Sequence, residues 1–281
     1  MKSHLLIATN GFKETWPAVE YGAWFAETMR MKITFLGVTE SLSPAAIDER
    51  HPLEDIFERA LGLFEARGVE YSLEVRKGDA EQVIPDKAHE GDYITVVGPL
   101  GRHPFKRWLT GRSIRTLMER IATPILYAPK TRLPLKKMLV SIGGLGYEAA
   151  AENLAFQVAT AARADVTILH VASPSELEYP GGRDVLKRLD DLAETDTLPG
   201  RGLKKGLEIA KRSGLNARVA TRQGNVVEEI LAEIREGDYD LVCMGSAYSA
   251  SAIRQLYTPN VTAEVAEVAH CPVLTARYKP V

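Results

Sequence analysis

Cysteine is nearly absent from this chain. Its 281 residues include two, Cys243 and Cys271, too few and too far apart for a disulfide framework or a zinc site. A reducing, cytoplasmic setting is therefore the expectation. His270 beside Cys271 does not suggest a catalytic pair, because neighbours on an extended segment point to opposite faces. No apolar run approaches the roughly 18 residues that a membrane-crossing helix needs. The opening Met-Lys-Ser-His leads into a strand-like run without a signal-peptide cleavage pattern. Charge of one sign is also lacking. Lys and Arg number 35 and Asp and Glu 37, a net charge of −2, which gives no global field to attract nucleic acid or an anionic membrane.

Several catalytic signatures are missing too. There is no Gly-x4-Gly-Lys-Ser/Thr loop and no Gly-x-Ser-x-Gly elbow, and the six histidines do not cluster with metal spacing. Gly144-Leu145-Gly146-Tyr147-Glu148-Ala149 imitates a dinucleotide fingerprint, but that fingerprint wants an acid at the end of the second strand. Asp165 lies at the start of its strand, which ends in His170-Val171. These absences give no reason to expect an enzyme.

What is present is an internal repeat. Lys32-Ile33-Thr34-Phe35-Leu36-Gly37-Val38 matches Asp165-Val166-Thr167-Ile168-Leu169-His170-Val171 at an offset of 133. The apolar stripe Ala18, Gly22, Phe25, Ala26, Met29 returns at the same offset as Ala151, Ala155, Val158, Ala159, Ala162. Glu90-Gly91-Asp92-Tyr93 recurs as Glu236-Gly237-Asp238-Tyr239, now 146 residues on, so an insertion falls within 172–200. Its acid-rich part, 184–196, reads as a solvated helix face. Two domains are expected, 1–130 and 135–281, joined through the proline-bearing segment 129–134.

In the first copy, strands are predicted near 4–9, 32–38, 69–76, 93–98 and 124–128, and helices near 15–30, 53–67, 79–90 and 111–122. Thr15 with Pro17 marks a helix start, Asp79 with Gln82 a capping box, and Pro85 should kink or shorten the third helix. Short apolar strands alternating with helices imply βα units and a parallel sheet covered on both faces.

The fourth strand leaves through GPLGRHPFKRWLTGRS, residues 98–113, with three glycines, several cations and no acid. The glycines allow backbone to approach a phosphate, and the following helix offers free N–H groups and a positive dipole end. Arg102, Lys106, Arg107 and Arg112 add positive charge. A solvated basic loop whose glycines only make turns explains the same residues. Trp108 reads as packing beneath the loop and His103 as solvated.

Gly98-x2-Gly101-x9-Gly111, followed by a helix and a Thr-Pro-apolar strand, resembles the nucleotide loop of the universal stress protein family. The resemblance extends over the whole chain as a tandem pair. It implies an α/β fold of two doubly wound five-stranded parallel sheets, strand order 3-2-1-4-5, with helices on both faces and the two domains packed as a pseudo-dimer. It also implies an adenine nucleotide, ATP or AMP, with Mg2+ accompanying ATP. Carried over by position, the base pocket comprises Ala8, Thr9, Asn10 and Val38. The ribose–phosphate side comprises Val97, Gly98, Gly101, Arg102, Gly111, Arg112 and Ser113.

Two positions depart from the family pattern: Asn10 stands for its Asp, and Arg112 for its Ser or Thr. The second copy departs further, with Gly143 at the Asp position and Gly245-Ser246-Ala247-Tyr248 keeping one glycine. Asn260 and Thr262 there read as caps of the next helix, and no nucleotide is expected in that copy. The expected function is a stress-response role through nucleotide-dependent contact with a protein partner of unknown identity, with homodimer formation open. The rival is a scaffold whose nucleotide sites have decayed.

Overall fold

A computed structural model describes residues 4–40, 52–101, 113–143, 149–172, 191–246 and 261–277. The chain divides into two compact units, Met1–Arg132 with His270–Pro272, and Leu133–Ala269 with Val273–Val281. In chain order the first unit holds β1 (His4–Thr9), α1 (Trp16–Met29), β2 (Lys32–Thr39), α2 (Pro52–Ala66), β3 (Tyr71–Lys77), α3 (Ala80–His89), β4 (Tyr93–Val97), α4 (Ser113–Arg120) and β5 (Ile125–Tyr127). Its five strands are parallel in the order β3-β2-β1-β4-β5.

The second unit holds β6 (Lys137–Ser141), α5 (Ala149–Ala162), β7 (Asp165–Ala172), α6 (Leu198–Arg212), β8 (Ala217–Gln223), α7 (Val226–Gly237), β9 (Leu241–Ser246), α8 (Val261–Val268) and β10 (Val273–Arg277). Its strands follow the matching order β8-β7-β6-β9-β10, again all parallel. The α/β doubly wound fold is thus present in both halves.

Burial explains the strand sequences. β1 is buried from Leu5 to Thr9 and β2 from Ile33 to Val38, as expected of central parallel strands covered on both faces. The stripe on α1 is core: Ala18, Gly22, Phe25, Ala26 and Met29 are all buried. At Gly22 a Cβ would come within 2.6 Å of Ile7 Cδ1, so glycine lets the helix lie close on β1. In α5, Ala151, Ala155, Val158 and Ala159 are buried while Ala162 is half-buried.

The helix starts and the proline of α3 take specific local forms. Asp79 caps α3, but its carboxylate accepts from the Glu81 N–H at 3.0 Å, while the Gln82 N–H bonds the Asp79 backbone carbonyl. Thr15 is the N-cap of α1 with Pro17 in the first turn, so that helix starts where expected, while the Thr15 hydroxyl donates to the Phe12 carbonyl at 2.7 Å rather than capping a helix N–H. Pro85 lies inside α3 without ending it. The proline has no N–H for the Glu81 carbonyl four residues back. Arg120, at the end of α4, donates its Nη1–H to that carbonyl at 2.8 Å. Arg120→Met should therefore lower stability by about 1 kcal/mol, read as a lower urea midpoint. No change would mean that water serves the carbonyl equally well.

In the insertion, residues 184–190 lie outside the described residues. Residues 192–194 form a short 3-10 turn with Leu192 buried, rather than a solvated α-helical face. The helix begins afterwards, where the Thr197 hydroxyl accepts from the Gly200 N–H.

The two units settle the charges beside their third strand differently. In the first, Arg76 grips both oxygens of Glu90 at 2.6 and 2.7 Å, and Lys87 bridges Glu74 at 2.6 Å and Glu90 at 3.0 Å. In the second, Arg222 and Glu236 keep the corresponding pair, but Glu233 stands in place of Lys87. Its carboxylate accepts from Tyr239 at 2.6 Å and from Arg222 at 2.7 Å. Burial alone would raise the Glu233 pKa, yet those two bonds hold it below the usual carboxyl range.

Glu90 is held lower still, at about 2, chiefly by Arg76 and then by Lys87. A carboxyl with a lowered folded pKa stabilises the fold above its unfolded pKa and loses that contribution as pH falls through the folded value. Stability should therefore decline between about pH 4.5 and 2. Glu90→Gln should lose stability at pH 7 but show a shallower acid decline in urea titrations. A wild-type slope in the mutant would remove Glu90 from the account.

Candidate functional site

In an open parallel sheet, the crevice lies beyond the carboxyl ends of the strands where the winding reverses. In the first unit that point falls between β1 and β4, where Ala8 pairs with Val97. Ala8, Thr9, Asn10, Val97 and Gly98 gather there, and Val38 lies at the carboxyl end of the neighbouring strand β2. Ala8, Thr9, Val38 and Val97 are fully buried.

A turn after β1 shapes the edge of this place. Gly11, with φ +86°, takes the left-handed conformation that favours glycine. Its N–H donates to Thr9 Oγ1 at 3.1 Å, and Thr9 meets Thr15 Oγ1 at 2.6 Å. Because the Thr15 hydroxyl hydrogen goes to the Phe12 carbonyl, Thr9 donates within that pair. These bonds fix Asn10. Its side chain is 6% exposed, and Nδ2–H donates to the Gly101 carbonyl at 2.8 Å. Asn10 Oδ1 is buried without a hydrogen-bond partner among the described residues.

The first stretch of the glycine loop therefore docks on the β1 turn. At Gly101 a Cβ would lie 2.6 Å from Phe12 Cγ and 2.7 Å from Glu14 Oε2. At Gly98 it would meet Thr15 Cα at 3.1 Å and Ala18 Cβ at 3.2 Å. Phe12, Glu14 and Thr15 were not among the expected site residues, whereas Thr9 was expected on the base side and pairs here with Thr15. The threonine spacing is a faint signal of a paired turn, while the Phe12 and Glu14 contacts have no sequence signature. Arg102, Gly111 and Arg112 lie outside the described residues, as do His103 and Trp108. Ser113 opens α4.

Among the described residues, one group of three carboxylates, Glu40, Asp79 and Glu81, has ligand atoms within 4.8 Å of one another. Asp79 caps α3 and Glu40 accepts from the Ala80 N–H at 3.3 Å. The group thus meets the positive end of a helix.

The second unit differs at the corresponding edge. Gly143 is exposed at the place of Asn10. His170, fully buried, takes the place of Gly37 and donates from Nδ1 to the Ile142 carbonyl at 3.0 Å. The imidazole thus lies across the end of β6. Thr262 lies inside α8 rather than ahead of it, and its hydroxyl donates to the Gly245 carbonyl at 3.4 Å. Asn260 lies outside the described residues. Cys243 is buried beneath α5, donates to the Ala151 carbonyl at 3.4 Å, and has its pKa pushed up by burial. That is the setting of an inert thiol. Among the described residues, no helix is long and apolar enough to cross a membrane.

The model of the universal stress protein family matches residues 1–129 and again 134–277. Universal stress protein YxiE of Bacillus subtilis (strain 168) is 27% identical over 148 residues, 50% of this chain and 98% of that protein. The crystal structure of a universal stress protein from Archaeoglobus fulgidus DSM 4304 aligns at TM-score 0.68 and 18% identity, covering 99% of this chain and 97% of that one. A putative universal stress protein from Pseudomonas aeruginosa UCBPP-PA14 aligns at TM-score 0.65 and 14% identity, covering 98% and 92%. At those identities the two structures support the fold alone. With the family model matching both halves of the chain, this protein belongs to the universal stress protein family as a tandem member.

Proposed function

We propose that the first unit binds an adenine nucleotide, ATP or AMP, and that the protein acts as a nucleotide-responsive binding protein rather than an enzyme. The observation that carries this reading is Asn10. A buried polar atom without a partner costs about 1–3 kcal/mol, and Asn10 Oδ1 is such an atom at the switch point of the sheet. The exocyclic amino group of adenine is a donor of the kind it lacks. Ala8, Thr9 and Val38 complete the base side. Val97, Gly98, Gly101, Arg102, Gly111, Arg112 and Ser113 form the ribose–phosphate side, with Mg2+ accompanying ATP. The second unit takes no nucleotide in this reading, because His170 fills space across the end of β6 and Gly143 offers no side chain.

The scaffold reading also has an observation in its favour. Phe12 and Glu14 already pack on Gly101, and the Asn10–Gly101 bond already draws the loop inward. Titration calorimetry of ATP and AMP into wild type and Asn10→Leu separates the two. Stoichiometric heat in the wild type, lost in Asn10→Leu, supports the nucleotide. No heat at millimolar nucleotide leaves the scaffold.

A further inference from the structure

The outer edge of the first sheet lies apart from the proposed site and has its own pattern. β3 is hydrogen-bonded to β2 along one side. Ile33 N–H bonds the Glu70 carbonyl, and Gly78 N–H bonds the Thr39 carbonyl. With Ile33 opposite Tyr71 and Thr39 opposite Lys77, the backbone groups of Ser72, Glu74 and Arg76 turn toward β2. Those of Tyr71, Leu73, Val75 and Lys77 turn outward.

Side chains alternate with the same period, so these four outward residues share one face. Leu73 is 45% exposed and Val75 57% exposed, side by side on that face. The corresponding residues of β8, Val219 and Thr221, are both half-buried. An exposed strand edge with adjacent apolar side chains is a template for pairing with another strand.

We infer that two copies of this chain pair antiparallel through their β3 edges, in the register centred on Leu73. Leu73 then faces its own counterpart, and Tyr71 faces Val75 in both directions, which covers the apolar face. Arg76 of one copy stands opposite Glu70 of the other, again twice. The neighbouring register, centred on Glu74, sets two carboxylates directly opposite, which destabilises a sheet. The register centred on Val75 places Leu73 against Lys77 and leaves Tyr71 without an apolar partner. Paired strands of this length bury less than the roughly 1,200 Å² of a standard interface. The dimer is therefore weak and concentration-dependent.

Light scattering with size exclusion, on the full chain loaded from about 1 to 500 µM to bracket a weak interface, tests the pairing. The molar mass should climb from one chain toward two, and Leu73→Lys should hold it at one chain throughout. Leu73→Cys tests the register. Opposed outward residues sit about 5.5 Å apart between Cα atoms, within disulfide reach, and both native cysteines are buried. Under mild oxidation Leu73→Cys should become a covalent dimer, and Lys77→Cys should not. A wild type that stays at one chain at every concentration overturns the inference. So does a Leu73→Lys variant that dimerises like wild type, or crosslinking that favours Lys77→Cys.

Discussion

Gly101→Val should lower the stability of the first unit by about 2–6 kcal/mol and weaken adenine-nucleotide binding at least tenfold. The Cβ of the new side chain would arrive 2.6 Å from Phe12 Cγ and 2.7 Å from Glu14 Oε2. Overpacking of that kind costs about 1–3 kcal/mol. As the loop is pushed off, the Gly101 carbonyl leaves Asn10 Nδ2, and a buried amide loses that bond, at about 1–3 kcal/mol more. Gly98 and Gly101 would then no longer lie against the β1 turn and the start of α1. Gly98→Ala is the graded control, since its nearest contacts are 3.1–3.4 Å and need small shifts. Calorimetric unfolding gives the stability term and nucleotide titration the affinity term. Wild-type values for both in Gly101→Val would mean that the loop docks elsewhere in solution.

Phe35→Ala should cost about 3–5 kcal/mol, the range for deleting a buried phenyl ring. Phe35 is fully buried, with the rings of Phe57 and Phe64 at 4.9 and 5.5 Å and that of Tyr71 5.6 Å from Phe64. This aromatic group holds α2 against β2 and β3. It also sits directly over Gly37, where a Cβ would come within 2.6 Å of Phe57 Cζ. Losing Phe35 therefore loosens the wall beside Val38, on the base side of the proposed site. A chemical denaturation midpoint well below wild type is expected, with Phe35→Leu in between. Equal midpoints for Phe35→Ala and wild type would mean that the helix closes over the cavity.

The elements of the fold were legible because parallel strands buried on both faces leave continuous apolar runs, and because the helices repeat their stripes in both halves. Strands predicted near 4–9, 32–38, 69–76 and 93–98 appear at 4–9, 32–39, 71–77 and 93–97. Pro85 does not end α3, and the residue that serves the freed carbonyl, Arg120, lies on another helix, 39 positions away in sequence. No local rule sees such a partner. The glycines of the loop were visible as glycines, but not that Gly98 and Gly101 are needed for contact with Thr15, Ala18, Phe12 and Glu14. Likewise Asn10 was legible as an uncharged departure. Its division of labour, one atom bonded to the loop and the other without a partner among the described residues, depends on the fold of the β1 turn and has no local signature. The exchange of Lys87 for Glu233 was readable from the repeat, but its compensation through Tyr239 and Arg222 was not.

The central claim is that the first unit holds an adenine nucleotide and the second does not. It is tested most directly by purifying the native protein under mild conditions, denaturing it, and identifying the released small molecules by chromatography and mass spectrometry. Gly111→Glu serves as the control. The account predicts ATP or AMP at close to one equivalent per chain, absent from Gly111→Glu. A wild type that releases none, and takes up none from millimolar ATP or AMP, would contradict it.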